Sequence, residues 1–230
     1  MPDIELVMLD CDGVLIDSEF IAATVESERW TKWGYEIDVE TFGQRFAGLG
    51  EEEIAARIAA ETERTVSDEF VQQMREEITR RIVAEVEPIE GAEAMVAALP
   101  YPVCVCSNSA AELLRQSLGR VGLWDTLGEH VFSARDLGAE HMKPKPDVFI
   151  HAAKAMGANP TNAIVVEDSV HGVAGGVAAG ARVIGFTGGR HSWQGHADAL
   201  TEAGAATVVA RHGEVVPTIR ALAQWDERAA

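Results

Sequence analysis

Short apolar runs rich in valine and isoleucine, separated by helical patterns, constrain this 230-residue chain more than any other feature. They lie at residues 4–9, 103–106, 163–166 and 181–186, with a shorter one at 207–210. A strand buried on both faces reads as a continuous apolar run, whereas a half-exposed strand alternates. Runs of this length with helices between them predict a parallel sheet covered on both faces.

The helices carry their own signals. Ser109-Ala-Ala-Glu112 has capping-box spacing ahead of Leu113, Leu114, Ser117, Leu118 and Val121, which predicts a helix start at Ser109. A second helix opens at Pro146-Asp147 and stops at Gly157, and a third stops at Gly180, both glycines serving as C-terminal caps. Between residues 18 and 86 no buried-strand run occurs. Residues 20–33 read as a helix, Ile54 and Ile58 mark another, and Ser67-Asp68-Glu69 opens a third with a stripe of Met74, Ile78, Ile82 and Val86. Gly43 and Gly48 interrupt the helical pattern. The expectation is an α/β core, a Rossmann-like parallel sheet of residues 1–17 and 87–230, with an inserted all-helical domain of residues 18–86. The length suffices for one large and one small domain.

The net charge of −18, from 19 basic and 37 acidic residues, argues against a nucleic-acid partner, because backbone phosphates need clustered Lys and Arg. No stretch approaches the roughly 20 apolar residues of a membrane span. The first residues lack both a basic flank and a signal-like apolar core, so export is not expected. Cys11, Cys104 and Cys106 sit in apolar runs and predict buried thiols in a reducing cytoplasm rather than a disulfide. A monomer or a weak homodimer is the expected assembly.

In open α/β sheets, ligands bind beyond the carboxyl ends of the strands. The residues there are Asp10 and Asp12 after the first run, Ser107 and Asn108 after the second, and Glu167, Asp168 and Ser169 after the third. Lys143 precedes a Pro-Lys-Pro-Asp turn into a helix. These types suit phosphoryl transfer. Asp10 and Asp12 can project to one side, and their repulsion can hold one of them protonated. That supplies a nucleophile and a general acid, with Gly13 allowing a sharp turn. Magnesium prefers carboxylate oxygens and water, which Glu167 and Asp168 supply beside Asp10. Lys143 is a point charge for the transferring phosphoryl group, and Ser107 suits its remaining oxygens.

The string DCDGVLIDSE, residues 10–19, resembles the first signature of the haloacid dehalogenase superfamily. VCVCSNS, KPKPDVF and VVEDSVHGVAGGVAAG resemble its second, third and fourth, in the family's order and at family-like spacing. The helical segment stands where the family inserts its small cap domain. The resemblance implies a magnesium-dependent phosphatase in which Asp10 is nucleophile and metal ligand. Asp12 would be acid and base, with its backbone carbonyl on the metal. Ser107, Asn108 and Lys143 would bind the phosphoryl group. Asp168 would be the main acidic ligand, with Glu167 direct or through water.

Within the superfamily, dehalogenases lack the second aspartate, so Asp12 counts against that activity. Phosphonate hydrolases need a cap lysine, and Lys32 stands alone without distinguishing context. Beta-phosphoglucomutases carry a histidine where Ala22 falls here, and a cap arginine that the acidic Gly48-Leu49-Gly50-Glu51 stretch lacks. A catalytically silent relative would be expected to lose one of Asp10, Asp12, Lys143 or Asp168. Residues 101–156 look like those of bacterial phosphatases acting on 6-phosphogluconate and related sugar phosphates. The implied partner is a small phosphorylated metabolite. Arg45, in a stretch resembling the family's specificity loop, is the candidate for gripping a substrate carboxylate. His191 and His196 read as polar loop residues, and Trp30 and Trp33 as cap packing.

Overall fold

The computed structural model describes residues 4–46 and 49–229. Six strands, β1 (Leu6–Leu9), β2 (Val103–Ser107), β3 (Val131–Ser133), β4 (Ala163–Glu167), β5 (Arg182–Phe186) and β6 (Thr207–Val209), form one sheet. All neighbours run parallel, in the order β3-β2-β1-β4-β5-β6. Val7 of β1 pairs with Val103 on one side and Ile164 on the other, and Leu9 with Val105 and Val166. The chain therefore reverses its direction of winding between β1 and β4, which opens a crevice at their carboxyl ends.

Around the sheet lie α1 (Ser18–Trp33), α2 (Val39–Phe46), α3 (Glu51–Thr62), α4 (Asp68–Glu85), α5 (Ala92–Ala98) and α6 (Ala111–Arg120). They are followed by α7 (Trp124–Leu127), α8 (Ala134–Leu137), α9 (Asp147–Ala155), α10 (Val170–Ala178), α11 (His196–Glu202) and α12 (His212–Ala229). The two-residue period of a strand sorts its side chains between two cores. Val7, Leu9, Val105, Ile164, Val166 and Ile184 face a core completed by α5, α6 and α12. Leu6, Met8, Cys104, Cys106, Val165 and Val183 face the opposite core, completed by α9, α10 and α11. This is the expected doubly covered sheet, and all three thiols are buried and unpaired. No described helix is long and apolar enough to cross a membrane.

The edge strand β3 was not expected. It is only three residues long, and Val131 and Phe132 are half-buried, so it lacks a full apolar run. Two further expectations need correction. Helix α6 begins at Ala111 with no side-chain cap, because the Ser109 hydroxyl is drawn to the Asp12 carboxylate instead. Glu112, the other half of the expected box, pairs with Arg115 and Gln116. Helix α2 runs straight through Gly43. Phe42 and Phe46, one turn apart, are both buried with ring centroids 5.0 Å apart, and Asp38 accepts from the Thr41 amide at its start. Their packing outweighs the glycine's low helix propensity of about 1 kcal/mol.

A third hydrophobic cluster gathers Val25, Trp30, Phe42, Phe46, Ile58 and Met74 from α1 to α4. The stripe along α4 is divided: Met74 belongs to this cluster, while Ile82 and Val86 belong to the sheet core. Ile78 packs against both. Helix α4 thus ties the helical insertion to the sheet by continuous packing. Trp30 anchors the insertion, fully buried between Trp33 and Phe70 at 5.6 and 4.9 Å. Trp30→Ala is expected to cost about 3–5 kcal/mol in urea unfolding, as large aromatic-to-alanine changes in cores do. Trp33→Ala, at a half-buried position, is expected to cost less.

Candidate active site

Asp10 follows β1 directly, and its backbone N–H donates to the carbonyl of Val166 in β4 at 2.9 Å. That bond fixes the nucleophile candidate at the crevice between β1 and β4. Beyond it the chain turns through Gly13 at φ +79°, where a Cβ would stand 1.9 Å from Asp168 Oδ2. Only glycine fits there, for conformation and for space.

Lys143 arrives from the loop before α9. Its backbone N–H donates to Asn108 Oδ1 at 2.8 Å, and the Asn108 amide returns a bond to its carbonyl at 3.4 Å. The ammonium then donates to Asp10 Oδ1 at 2.5 Å, Glu167 Oε1 at 2.5 Å and the Cys106 carbonyl at 2.6 Å. An ammonium has three donors, and all three are satisfied. Burial works against the charge on Lys143, but the Asp10 and Glu167 carboxylates outweigh it and hold the amine protonated beyond its ordinary range. Burial likewise pushes the Asp10 carboxyl up, resisted by Lys143 and reinforced by Glu167, Asp168 and Asp12. The Lys143 ammonium at 2.5 Å is the contact that favours the ionised form of Asp10 against that burial.

Glu167 also accepts from the Ser169 amide and hydroxyl at 3.1 and 3.0 Å. A Cβ on Gly172, in the first turn of α10, would fall 1.9 Å from its carboxyl carbon. Asp10, Glu167 and Asp168 each offer an oxygen, all within 4.8 Å of one another. An all-oxygen set with more carboxylates than cations fits a hard divalent ion such as magnesium.

Asp12 is held differently. Its Oδ1 accepts from Ser18 Oγ at 2.7 Å, and its Oδ2 accepts from Ser107 Oγ at 3.0 Å and Ser109 Oγ at 2.8 Å. Hydroxyls donate to a carboxylate or accept from the protonated acid, so they keep Asp12 in place in either proton state. Asp10, Asp12, Ser107, Asn108, Lys143, Glu167 and Asp168 are thereby brought together. Arg45 is not. It pairs with Glu61 at 2.6 Å, its guanidinium sits near the Tyr35 and Phe46 rings, and it lines a separate open depression with Thr31 and Thr41. Ala47 and Gly48, the end of the stretch that suggested Arg45, lie outside the described residues.

Sequence reasoning passed over several side chains of the site. His191 Nε2 lies 2.8 Å from Asp168 Oδ2, and His196 Nε2 donates to the Asp168 carbonyl at 2.7 Å. Burial opposes protonation of His191, but Asp168 outweighs it and brings its pKa to about 9. Burial lowers His196, so its ring is neutral, stacked on Trp193 at 3.8 Å. His191 lies in the turn after β5 as expected, whereas His196 is buried at the start of α11, and both hydrogen-bond Asp168. The strand-end rule applied to β5, whose following loop carries them, contains the signal. A cavity of about 500 Å³ opens above the acids, between them and α1, α2 and α3. Its helical wall includes Glu19, Ala23, Glu26, Phe42, Phe46 and Ile54. Glu19 lines this cavity, and desolvation, reinforced by Asp168, Asp12 and Glu51 and opposed by His191, raises its carboxyl to about 7. Burial, reinforced by Glu51 and Glu19, raises Glu26 to about 8.

A profile of the haloacid dehalogenase-like hydrolases matches residues 4–180. The chain is 35% identical over 193 residues to a 6-phosphogluconate phosphatase of Escherichia coli, covering 84% of this chain and 86% of that one. A haloacid dehalogenase-like protein of unknown function from Agrobacterium tumefaciens superposes with a TM-score of 0.93 at 44% identity, covering 96% and 99% of the two chains. A family hydrolase from Deinococcus radiodurans, solved with phosphate and sodium, gives 0.79 at 32% identity, covering 93% of each. The chain belongs to the haloacid dehalogenase-like hydrolase family. A beta-phosphoglucomutase-type protein of Thermotoga maritima, at 22% identity and a TM-score of 0.72, shares the fold.

Glu26 gives a stability test of the cavity's helical wall. It holds its proton to about pH 8 when folded, whereas an ordinary glutamate releases it near 4.5. Its contribution to stability is full below pH 4.5 and is lost as the pH rises to about 8. Glu26→Gln cannot ionise, so it is expected to melt a few degrees above the wild type beyond about pH 8. That difference is expected to shrink toward about pH 5 in thermal melts.

Proposed function

We propose that the protein is a magnesium-dependent phosphatase that hydrolyses a small phosphate monoester through an aspartyl phosphate on Asp10. The reading rests above all on a buried carboxylate, Asp10, paired with Lys143 at 2.5 Å at the crevice of the sheet, with a second carboxylate two residues on. Asp10, Glu167, Asp168 and the backbone carbonyl of Asp12 would hold magnesium. When bound, the ion neutralises charge on the phosphoryl oxygens and on the acids around them.

Asp10 attacks phosphorus, an Asp10–phosphorus bond forms, and the bond to the ester oxygen breaks. Asp12 gives a proton to the departing alkoxide, so that an alcohol leaves. Water then attacks the aspartyl phosphate, Asp12 takes back a proton from it, and inorganic phosphate leaves with Asp10 restored. Ser18, Ser107 and Ser109 keep Asp12 aimed through both proton transfers. Lys143 keeps Asp10 ionised and oriented, and Asn108 fixes Lys143 by its backbone. In the attacking state Lys143 can exchange one of its three bonds for a phosphoryl oxygen. The helical wall limits water around the phosphoenzyme. The similarity to a 6-phosphogluconate phosphatase supports a sugar or sugar-acid phosphate as substrate.

Turnover of p-nitrophenyl phosphate is expected to need magnesium and to vanish with a chelator. Asp10→Asn is expected to abolish it without unfolding the protein, since one oxygen becomes a nitrogen. Near-normal rates from that variant would contradict the mechanism. Asp12→Ala is expected to lose about 10²–10⁴-fold on an alkyl phosphate, the usual worth of general acid–base catalysis. On p-nitrophenyl phosphate, phosphoenzyme formation is expected to fall less, because that leaving group needs no proton. Equal loss of phosphoenzyme formation on both esters would contradict Asp12 as the acid.

A further inference from the structure

Helix α1 starts at the chemistry and climbs the cavity wall. Ser18 in its first turn donates to Asp12, and Glu19, Ala23 and Glu26 then line the cavity at steps of four and three residues. These positions share one face of the helix. At 1.5 Å per residue, Glu26 lies about 10 Å along the axis from Glu19. That offset places it to meet the far end of a leaving alcohol rather than its reacting oxygen.

Glu26 is 8% exposed and lines the cavity, yet its carboxyl has no hydrogen-bond or ion-pair partner among the described residues. A buried polar group without a partner costs free energy, and a ligand that completes its hydrogen bonds relieves that cost. Around it Phe42, Phe46, Leu49 and Ile54 make the wall apolar. Among the described lining residues, Lys143 is the sole lysine or arginine, and it lies at the floor with all three donors engaged. Arg45 faces Glu61 elsewhere. The other positively charged lining residue, His191, is paired with Asp168 at 2.8 Å beside the acids. A carboxylate or second phosphate at the far end of a substrate would therefore meet Glu26 and Glu19 with no unpaired lysine or arginine to receive it, and a desolvated anion without a cation is costly. A hydroxyl both donates and accepts, so it satisfies a carboxyl in either proton state.

We propose that Glu26 determines specificity by hydrogen-bonding a hydroxyl at the far end of the leaving alcohol. Its preferred substrates are then monophosphates of neutral sugars or polyols, rather than of sugar acids or a second phosphate ester. This rests on the phosphatase reading and narrows it. Burial beside Glu51 and Glu19 keeps the Glu26 carboxyl protonated up to about pH 8, so at neutral pH it donates as well as accepts. The substrate class named for the Escherichia coli relative would in that case not carry over to this chain.

Glucitol 6-phosphate and 6-phosphogluconate share one carbon skeleton and differ only at the far carbon, a hydroxymethyl against a carboxylate. Wild-type kcat/KM is expected to be about tenfold or more higher for glucitol 6-phosphate. Glu26→Leu is expected to lower kcat/KM on that substrate about tenfold or more. Glu26→Gln, whose amide donates and accepts, is expected to stay within about threefold. A wild-type preference for 6-phosphogluconate overturns the inference without any variant, as does a substrate ratio that Glu26→Leu leaves unchanged. Wild-type turnover of p-nitrophenyl phosphate with magnesium reads the phosphatase assignment separately. Aryl turnover together with either overturning result removes this inference alone, whereas no turnover of any phosphate removes both.

Discussion

The ammonium of Lys143, buried with two carboxylates and a carbonyl oxygen on its three donors, is the constraint around which the crevice is arranged. Taking such charges out of water costs several kcal/mol per ion unless their geometry is nearly complete. Here it is complete, and each partner comes from a different part of the chain: Asp10 after β1, Cys106 within β2, and Glu167 at the end of β4. One cation thus ties together the three strands whose ends frame the switch in winding. The remaining excess of carboxylate is what makes the cluster a fit for a divalent ion.

That cluster dictates much of its surroundings. Gly13 and Gly172 are fixed by the carboxyls of Asp168 and Glu167, which stand where their side chains would be. Asp12 is held by three hydroxyls, one of which, on Ser18, belongs to the first turn of the helical insertion. Arg190 from the loop after β5 pairs with Asp17 and lies over the Phe20 ring at 4.2 Å. The start of α1 is therefore anchored to the sheet on both sides. Helix α1 thus continues directly from the active site, and its face carrying Glu19, Ala23 and Glu26 forms part of the cavity wall.

Most of the sheet was legible because strands buried on both faces leave continuous apolar runs, as β1, β2, β4 and β5 do. The edge strand β3 leaves no such run. The strand-end rule located Asp10, Asp12, Ser107, Asn108, Glu167 and Asp168, since their positions follow from where runs stop, whereas Lys143 was marked by the Pro-Lys-Pro-Asp turn into α9. It could not reveal that Ser109 would leave its helix for Asp12, because that depends on the distance between two strand ends. Helix α2 was hidden by Gly43, and its formation depends on Phe42 and Phe46 finding a core supplied by α1, α3 and α4. Arg45 illustrates the same limit: local sequence placed it beside the cleft, and its orientation was decided by Glu61, sixteen residues away.

The central claim is that Asp10 forms a covalent bond to phosphorus. Rapid acid quenching during turnover, followed by peptide mapping with mass spectrometry, tests it most directly. The account predicts a phosphoryl group on the peptide containing Asp10, localised to that carboxylate and absent from an Asp10→Asn variant treated alike. Steady turnover with no phosphorylated peptide at any quench time, or with the label on another residue, would contradict it.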